Sequence, residues 1–285
     1  ARGLTRTEGR VVEAKRRQDG CIDSLVLADG REIRGDFFIE CTGFRSLLIG
    51  KALGVEDVDW SDYLPCDRAI AVRSENQGPL LPYTRATAHS AGWMWRIPLQ
   101  HRLGQGYVYS SRFCSDAQAR STLLRNLGGA CLEEPRVIPF TTGHKRQFWK
   151  LNCLSLGLSA GFLEPLESSA IVLIEMSAKL IAEQMPVCRE VMDVLAARFN
   201  ATTEYRWGRI IDFLKLHYVL TQRDDTAFWR ENRLPETVPE RLQNLLLLWL
   251  CFPVSPFNFK YASDTRAGII YGSKVLSPTS YMTGM

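Results

Sequence analysis

Zinc-type cysteine spacing is missing from this 285-residue chain. Its eight cysteines, at 21, 41, 66, 114, 131, 153, 188 and 251, include no C-x-x-C pair and no close Cys/His grouping, so no metal site is expected. A chain with this much apolar sequence needs no disulfide staple, and the thiols read as reduced cysteines of a cytoplasmic protein. Long apolar runs are scarce as well. The most apolar one, Leu245 to Phe252, falls far short of the roughly 20 residues needed to span a bilayer and is assigned to a buried helix. No signal peptide opens the sequence. Charge of one sign is nearly absent in excess: 35 Lys and Arg face 31 Asp and Glu, a net +4. That balance points to neither nucleic acid nor membrane as partner. The local cluster of Arg10 and Lys15-Arg16-Arg17 is interleaved with Glu8, Glu13 and Asp19, as on a solvated hairpin. Histidine is rare too. His89, His101 and His144 have no acid or thiol at a recognisable spacing, and His217 borders an apolar stripe, where a core histidine is expected. Most telling is the absence of G-x-G-x-x-G, with which a dinucleotide fold opens. Gly3 and Gly9 do not supply it.

What is present is an ample core, with 46% hydrophobic residues, enough for one large domain or two modest ones. Val11 to Ala14, Cys21 to Ala28 and the segment from Arg31 read as short strands, joined by Asp19-Gly20 and Asp29-Gly30 turns. Asp36 to Cys41 is a further strand, running into Thr42-Gly43. Trp93 to Pro98 alternates large and smaller side chains as a strand does, and two tryptophans spaced by two can form a packed sheet face. Gly104 to Ser111 gives a hairpin partner and Asp116 to Leu127 an amphipathic helix. From Pro186 on the pattern is helical, with one stripe of Trp207, Ile210, Ile211, Leu214 and Tyr218 and another from Leu242 to Leu250. Arg223-Asp224-Asp225 reads as a solvated loop or cap, and Phe228-Trp229 as packing.

The chain is organised around Leu154 to Met185. An apolar run from Leu151 to Leu158 suits a buried strand, and the small-residue turn Ser159-Ala160-Gly161 permits close backbone approach. Pro165-Leu166-Glu167-Ser168-Ser169 then leads into a helix that Pro186 ends, with hydroxyls at its mouth as caps. Ile171, Ile174, Ala178, Ile181, Ala182 and Met185 fall on one face, opposite Glu175, Lys179 and Glu183. A helix start of this kind is suited to anions. Glu167 in the same turn reads equally well as an ordinary acidic residue of a first helical turn.

The segment GLSAGFLEPLESSAI, residues 157–171, resembles the flavin-contact segment of the flavin-dependent tryptophan halogenases. Gly92-Trp93-Met94-Trp95-Arg96-Ile97-Pro98 is similar to the W-x-W-x-I-P signature of that family, and Asp36 to Ser46 to its strand and glycine turn. Gly106 to Ser111, Phe148 to Cys153, and Leu216-His217-Tyr218 through Phe228-Trp229 agree in the same order.

The resemblance implies an α+β fold of the FAD/NAD(P)-binding flavoprotein monooxygenase type, incomplete here, with a C-terminal helical substrate subdomain. Residues 1–186 would be the C-terminal part of the FAD-binding halogenase domain and 187–285 the mainly helical substrate side. It implies reduced FAD from a flavin reductase, oxygen, and chloride or bromide. The hypohalous acid they form halogenates a small electron-rich aromatic substrate, and a homodimer is left open. By the same resemblance Val11, Val12, Gly43, Leu158 and Ile171 contact FAD, and Ser169 and Ala170 hold the halide through backbone N–H groups. Glu167 with Ser168 is catalytic, and Trp93, Trp95, Ile97 and Pro98 stand between flavin and substrate. Glu164 is assigned a structural role.

Ser169 and Ala170 depart from the family's usual threonine and glycine, while keeping the backbone donors. The E-x-x-x-F-W cluster that grips free tryptophan is not found in Tyr261 to Tyr271, so another indole or a phenol fits as well as tryptophan. Beginning at Ala1, the sequence reads as an internal fragment, with the glycine-rich turn and the catalytic lysine expected ahead of it. The alternatives are an FAD-dependent aromatic monooxygenase and a catalytically incomplete flavoprotein fragment.

Overall fold

The computed structural model describes residues 3–251. The strands are β1 (Val11–Arg16), β2 (Ile22–Leu27), β3 (Glu32–Arg34), β4 (Phe38–Glu40), β5 (Asp57–Asp59), β6 (Arg68–Ser74) and β7 (Arg85–His89). They continue with β8 (Gly92–Leu99), β9 (Arg102–Tyr109), β10 (Arg136–Pro139), β11 (Gly143–Lys145), β12 (Trp149–Lys150), β13 (Cys153–Ser155) and β14 (Gly161–Phe162). The helices are α1 (Asp116–Arg125), α2 (Ser169–Glu183), α3 (Met192–Leu220), α4 (Ala227–Glu231) and α5 (Glu240–Cys251). This is the α+β class expected. Two compact units interleave along the chain: 1–58 with 143–162 and 170–205, and 59–142 with 163–169 and 206–285.

In the first unit the antiparallel sheet β1-β2-β3 is set by its turns. Gly20 and Gly30 take positive φ, 87° and 86°, and the Asp19 and Asp29 carboxylates accept from the N–H groups two residues on. A second sheet, β12-β13-β4, pairs β13 parallel to β4. Asn152 joins the two. Fully buried, it accepts from Ile22 N–H (2.9 Å) and donates to the carbonyls of Ile22 (2.8 Å) and Asp36 (3.2 Å). At the end of β4 the buried Glu40 carboxylate accepts from the N–H groups of Leu48 and Ile49, both at 2.7 Å, and so caps the π-helical turn Leu47–Ala52. Ile22, Phe38, Leu48, Ile49, Leu53 and Cys153 close the core beneath.

The apolar run expected as one strand from 151 to 158 is a strand only at β13. It then turns through a 3-10 segment, Gly157–Ser159, into β14. The face expected to bury α2 is corrected. Of the expected face Ile181 is buried, alongside Leu173 and Ser177, whereas Ile171 is 60% exposed and Ile174 and Met185 are exposed too. Apolar residues occur on both flanks of this helix, so spacing alone does not select the packed one.

The second unit is built on a five-stranded antiparallel sheet, β10-β6-β9-β8-β7. Ile70, Val72, Tyr107 and Tyr109 pack with Ala119 and Leu123 of α1, whose N-terminus is closed by a Ser115/Gln118 capping box. Trp95 pairs with Gly106 across β8 and β9. A Cβ on Gly106 would meet the Trp95 ring at 2.0 Å, so glycine is what lets the indole lie flat on the neighbouring strand. Trp207, Ile210, Ile211, Leu214 and Tyr218 of α3 are all buried, as their spacing predicts. In α5, Leu242 packs with Leu216 and Val238, but Leu247 and Leu248 are exposed. The expected burial of that run is therefore corrected: four consecutive leucines point to every side of a helix, and among the described residues Leu242 and Leu246 mark the packed side.

Candidate active site

The loop Leu163–Ser169 carries the acidic candidates, and α2 begins at Ser169. The first N–H groups of any helix lack intrahelical acceptors, so those of Ser169 and Ala170 stand at the positive end of the α2 dipole. Ser168, just before them, is in the left-handed region at φ 54°, a conformation uncommon outside glycine and a mark of a constrained site. The Glu167 side chain is a quarter exposed, and its Oε1 lies 3.8 Å from His217 Nε2. His217 Nδ1 is 2.9 Å from the Phe213 carbonyl oxygen. The carbonyl can only accept, so Nδ1 carries a hydrogen there, and Nε2 is the ring nitrogen turned towards Glu167. His217, expected in the core, is only half-buried and faces an acid.

Trp93 and Trp95 of β8 line a small pocket together with Ala86, Val108, Glu164 and Leu166. The W-x-W strand and the E-P-L-E loop thus meet at one place in this unit. Ile97, exposed, and Pro98, half-buried, sit farther along β8 and do not line it. Trp93 is the better buried of the two tryptophans. It packs edge-on against Trp229 at 5.3 Å and Tyr218 at 5.9 Å, and its Nε1–H donates to the Tyr218 hydroxyl oxygen at 2.8 Å. Tyr218 in turn lies 2.7 and 2.8 Å from the two oxygens of Glu164. Cys66 Sγ is 3.8 Å from the same hydroxyl, and Lys215, fully buried, donates to Asn232 Oδ1 at 3.0 Å.

Burial pushes the Glu164 carboxyl up to about 7, against the opposing pull of Tyr218, Cys66 and Lys215. Burial likewise lowers the Lys215 ammonium to about 8, and raises the Tyr218 hydroxyl and Cys66 thiol. The sequence places Trp93, Tyr218 and Glu164 in separate motifs, and neither their meeting nor the place of Lys215 beside them was read from it. The available signal was a charged residue inside an apolar run, as with Lys215 between Leu214 and Leu216.

The remaining candidates lie in the first unit. Gly43 opens the 3-10 turn Gly43–Arg45 at φ 70°, with open space where a Cβ would stand. That turn packs against the Gly157–Ser159 turn carrying Leu158, which the Ser159 hydroxyl fastens to the Glu40 carbonyl at 2.7 Å. Leu158, Phe44 and Ile171 are exposed. Such apolar, glycine-edged surface fits the ring of a flavin. The G-x-G-x-x-G turn that would hold its diphosphate does not occur in the sequence. Val11 is half-buried and Val12 exposed on β1. The segment Tyr261 to Tyr271 lies outside the described residues.

A family model described as tryptophan halogenase matches residues 1–267. The tryptophan 6-halogenase SttH of Streptomyces toxytricini is 37% identical over 250 residues, which are 85% of this chain and 47% of that protein. Among solved structures, BrvH, a flavin-dependent halogenase from Brevundimonas sp. BAL3, superposes with a TM-score of 0.83 at 47% identity, over 87% of this chain and 50% of that one. Xcc4156, a flavin-dependent halogenase from Xanthomonas campestris, gives 0.82 at 43% identity, over 87% and 50%. The chain therefore spans about half the length of the relatives it matches. On the matched model, the shared identity and the common fold, it belongs to the tryptophan halogenase family.

Proposed function

We propose that this chain forms part of a flavin-dependent halogenase acting on an electron-rich aromatic, whether tryptophan, another indole or a phenol. The observation that carries the reading is Glu167 on a strained turn opening α2, in a loop whose other acid shares a pocket with the W-x-W strand. When bound, reduced FAD with oxygen supplies the oxidising power that turns chloride or bromide into hypohalous acid. Gly43, Leu158 and Ile171 would hold the ring of the flavin, with Val11 and Val12 on the first hairpin near its far end.

The chain's own residues supply several further parts. The N–H groups of Ser169 and Ala170 hold the halide, where partial positive charge is fixed before the anion arrives. The Glu167 carboxylate, beside Ser168, orients the oxidant and accepts the proton released when the halogenated ring regains aromaticity. His217 Nε2 is placed to take that proton on. Trp93 and Trp95, with Ile97 and Pro98 farther along β8, keep water and substrate apart from the oxidation site. Residues 1–186 are assigned to the flavin side, and the helices from 187 onward to the substrate side. A separate flavin reductase supplies the reduced cofactor, and no helix among the described residues is long and apolar enough to cross a membrane.

The test is Glu167→Gln in the full-length protein with a reductase. Halogenation is expected to fall by about 10²-fold or more while oxidation of reduced flavin continues. Hydroxylated product only, at every halide concentration, would favour a monooxygenase and sink the reading. The missing glycine-rich turn favours a second statement about the isolated polypeptide: it binds FAD weakly or not at all, and tight stoichiometric binding refutes this.

A further inference from the structure

We propose that Glu164 is a positioning residue for Trp93: its carboxylate takes the Tyr218 hydroxyl hydrogen, leaving the Tyr218 oxygen to accept from Trp93 Nε1, and so fixes the indole that walls the pocket. The geometry gives the direction of this chain of bonds. An indole N–H only donates, so Tyr218 must be the acceptor in the 2.8 Å contact with Trp93. A phenol has one hydrogen, and both Glu164 oxygens lie within 2.8 Å of it, so in the carboxylate form Tyr218 donates there. Glu164, Tyr218 and Trp93 come from three different segments, and Trp93 and Glu164 line the same pocket. Glu164 and Tyr218 are buried, so bulk solvent does not reach either bond.

Protonation of Glu164 changes the logic. A carboxylic acid brings its own O–H to the Tyr218 oxygen, in competition with the Trp93 N–H. Among the described residues the titratable groups facing Glu164 are Tyr218 and Lys215 from α3, and Cys66 from the segment before β6. Lys215 is held by Asn232, and Cys66 feels the charge of Glu164 first and that of Asp67 after it. With the carboxyl raised to about 7, both forms are populated near neutral pH, so the ordering of Trp93 is itself pH-dependent.

The experiment uses the full-length protein carrying 15N at tryptophan indoles, with the Trp93 resonance identified from Trp93→Phe. That resonance is expected to shift between about pH 6 and pH 8 and to stay fixed over the same range in Glu164→Gln. A wild-type resonance that does not move, or that moves equally in Glu164→Gln, overturns the proposal. Tyr218→Phe keeps the packed ring and removes only the hydroxyl. It must abolish the same shift, and persistence overturns the proposal even where Glu164→Gln fails to fold. The proposal rests on the halogenase reading only for its turnover arm. There, Glu164→Gln lowers kcat about fivefold above neutral pH with KM for halide nearly unchanged, and the loss disappears in the Trp93→Phe background. Equal losses in both backgrounds also overturn it. Failure of wild type to halogenate would sink the functional reading, and the resonance measurement would still decide this one.

Discussion

Glu164 and Glu167 lie three residues apart and meet opposite environments. The first is fully enclosed and bonded to Tyr218, while the second keeps a quarter of its side chain in solvent, with His217 at 3.8 Å. A proton acceptor needs a route by which its proton leaves, and only Glu167 has one. Glu167→Gln should therefore lower halogenation by about 10²-fold or more, the usual contribution of a positioned acid or base, in a steady-state assay with flavin consumption followed in parallel. His217→Gln should slow the same step less, because water reaches the carboxylate too. A His217→Gln loss as large as that of Glu167→Gln would make the imidazole, not the carboxylate, the primary acceptor. Gly106 acts through packing instead. Alanine there meets Trp95 at 2.0 Å and the Ile70 carbonyl at 2.7 Å, and overpacking of this kind costs about 1–3 kcal/mol, readable as a lower denaturant midpoint.

Among the elements, the hairpins and the α3 stripe were legible because a single rule fixed each of them. Asp-Gly turns set β1-β2-β3, and a 3.6-residue period of large apolar groups set the buried line from Trp207 to Tyr218. The flank of α2 that packs was not legible, since Leu173 and Ile174 are adjacent, equally apolar and point to different sides. The bonds of Asn152 were invisible for a different reason. They join residues more than a hundred positions apart, and no local pattern marks a polar side chain that will be satisfied by distant backbone. The motifs of the candidate site were readable as strings, and the Glu164–Tyr218–Trp93 chain that binds three of them together was not. Asn152→Ala orphans the buried N–H and carbonyl of Ile22 and should cost about 3 kcal/mol, which chemical denaturation would detect. Ser115→Ala removes one half of the α1 capping box and should cost about 1 kcal/mol.

At the scale of the whole molecule, the buried acid of the second unit makes stability fall with pH. Glu164 has its folded value raised from 4.5 to about 7, so between these values the unfolded chain has released a proton that the folded one still holds. Stability from this group is full below about pH 4.5 and is lost as pH rises through about 7, with an upper bound of about 3 kcal/mol. Lys215 acts in the other sense: its folded value is lowered from 10.5 to about 8, so its cost is present at neutral pH and is relieved only as pH rises above 8. Denaturant midpoints at acidic and mildly alkaline pH should therefore differ more in wild type than in Glu164→Gln, and an unchanged difference would mean that Glu164 does not titrate in the folded protein.

The left-handed backbone at Ser168 has a consequence for how this loop can vary. A residue held there admits glycine, and next asparagine or aspartate, with the least strain, whereas a β-branched side chain collides with its own peptide group. Any library that randomises the turn will lose valine, isoleucine and threonine at this codon before a single substrate is tested. The survivors will be chosen by the torsion of one bond.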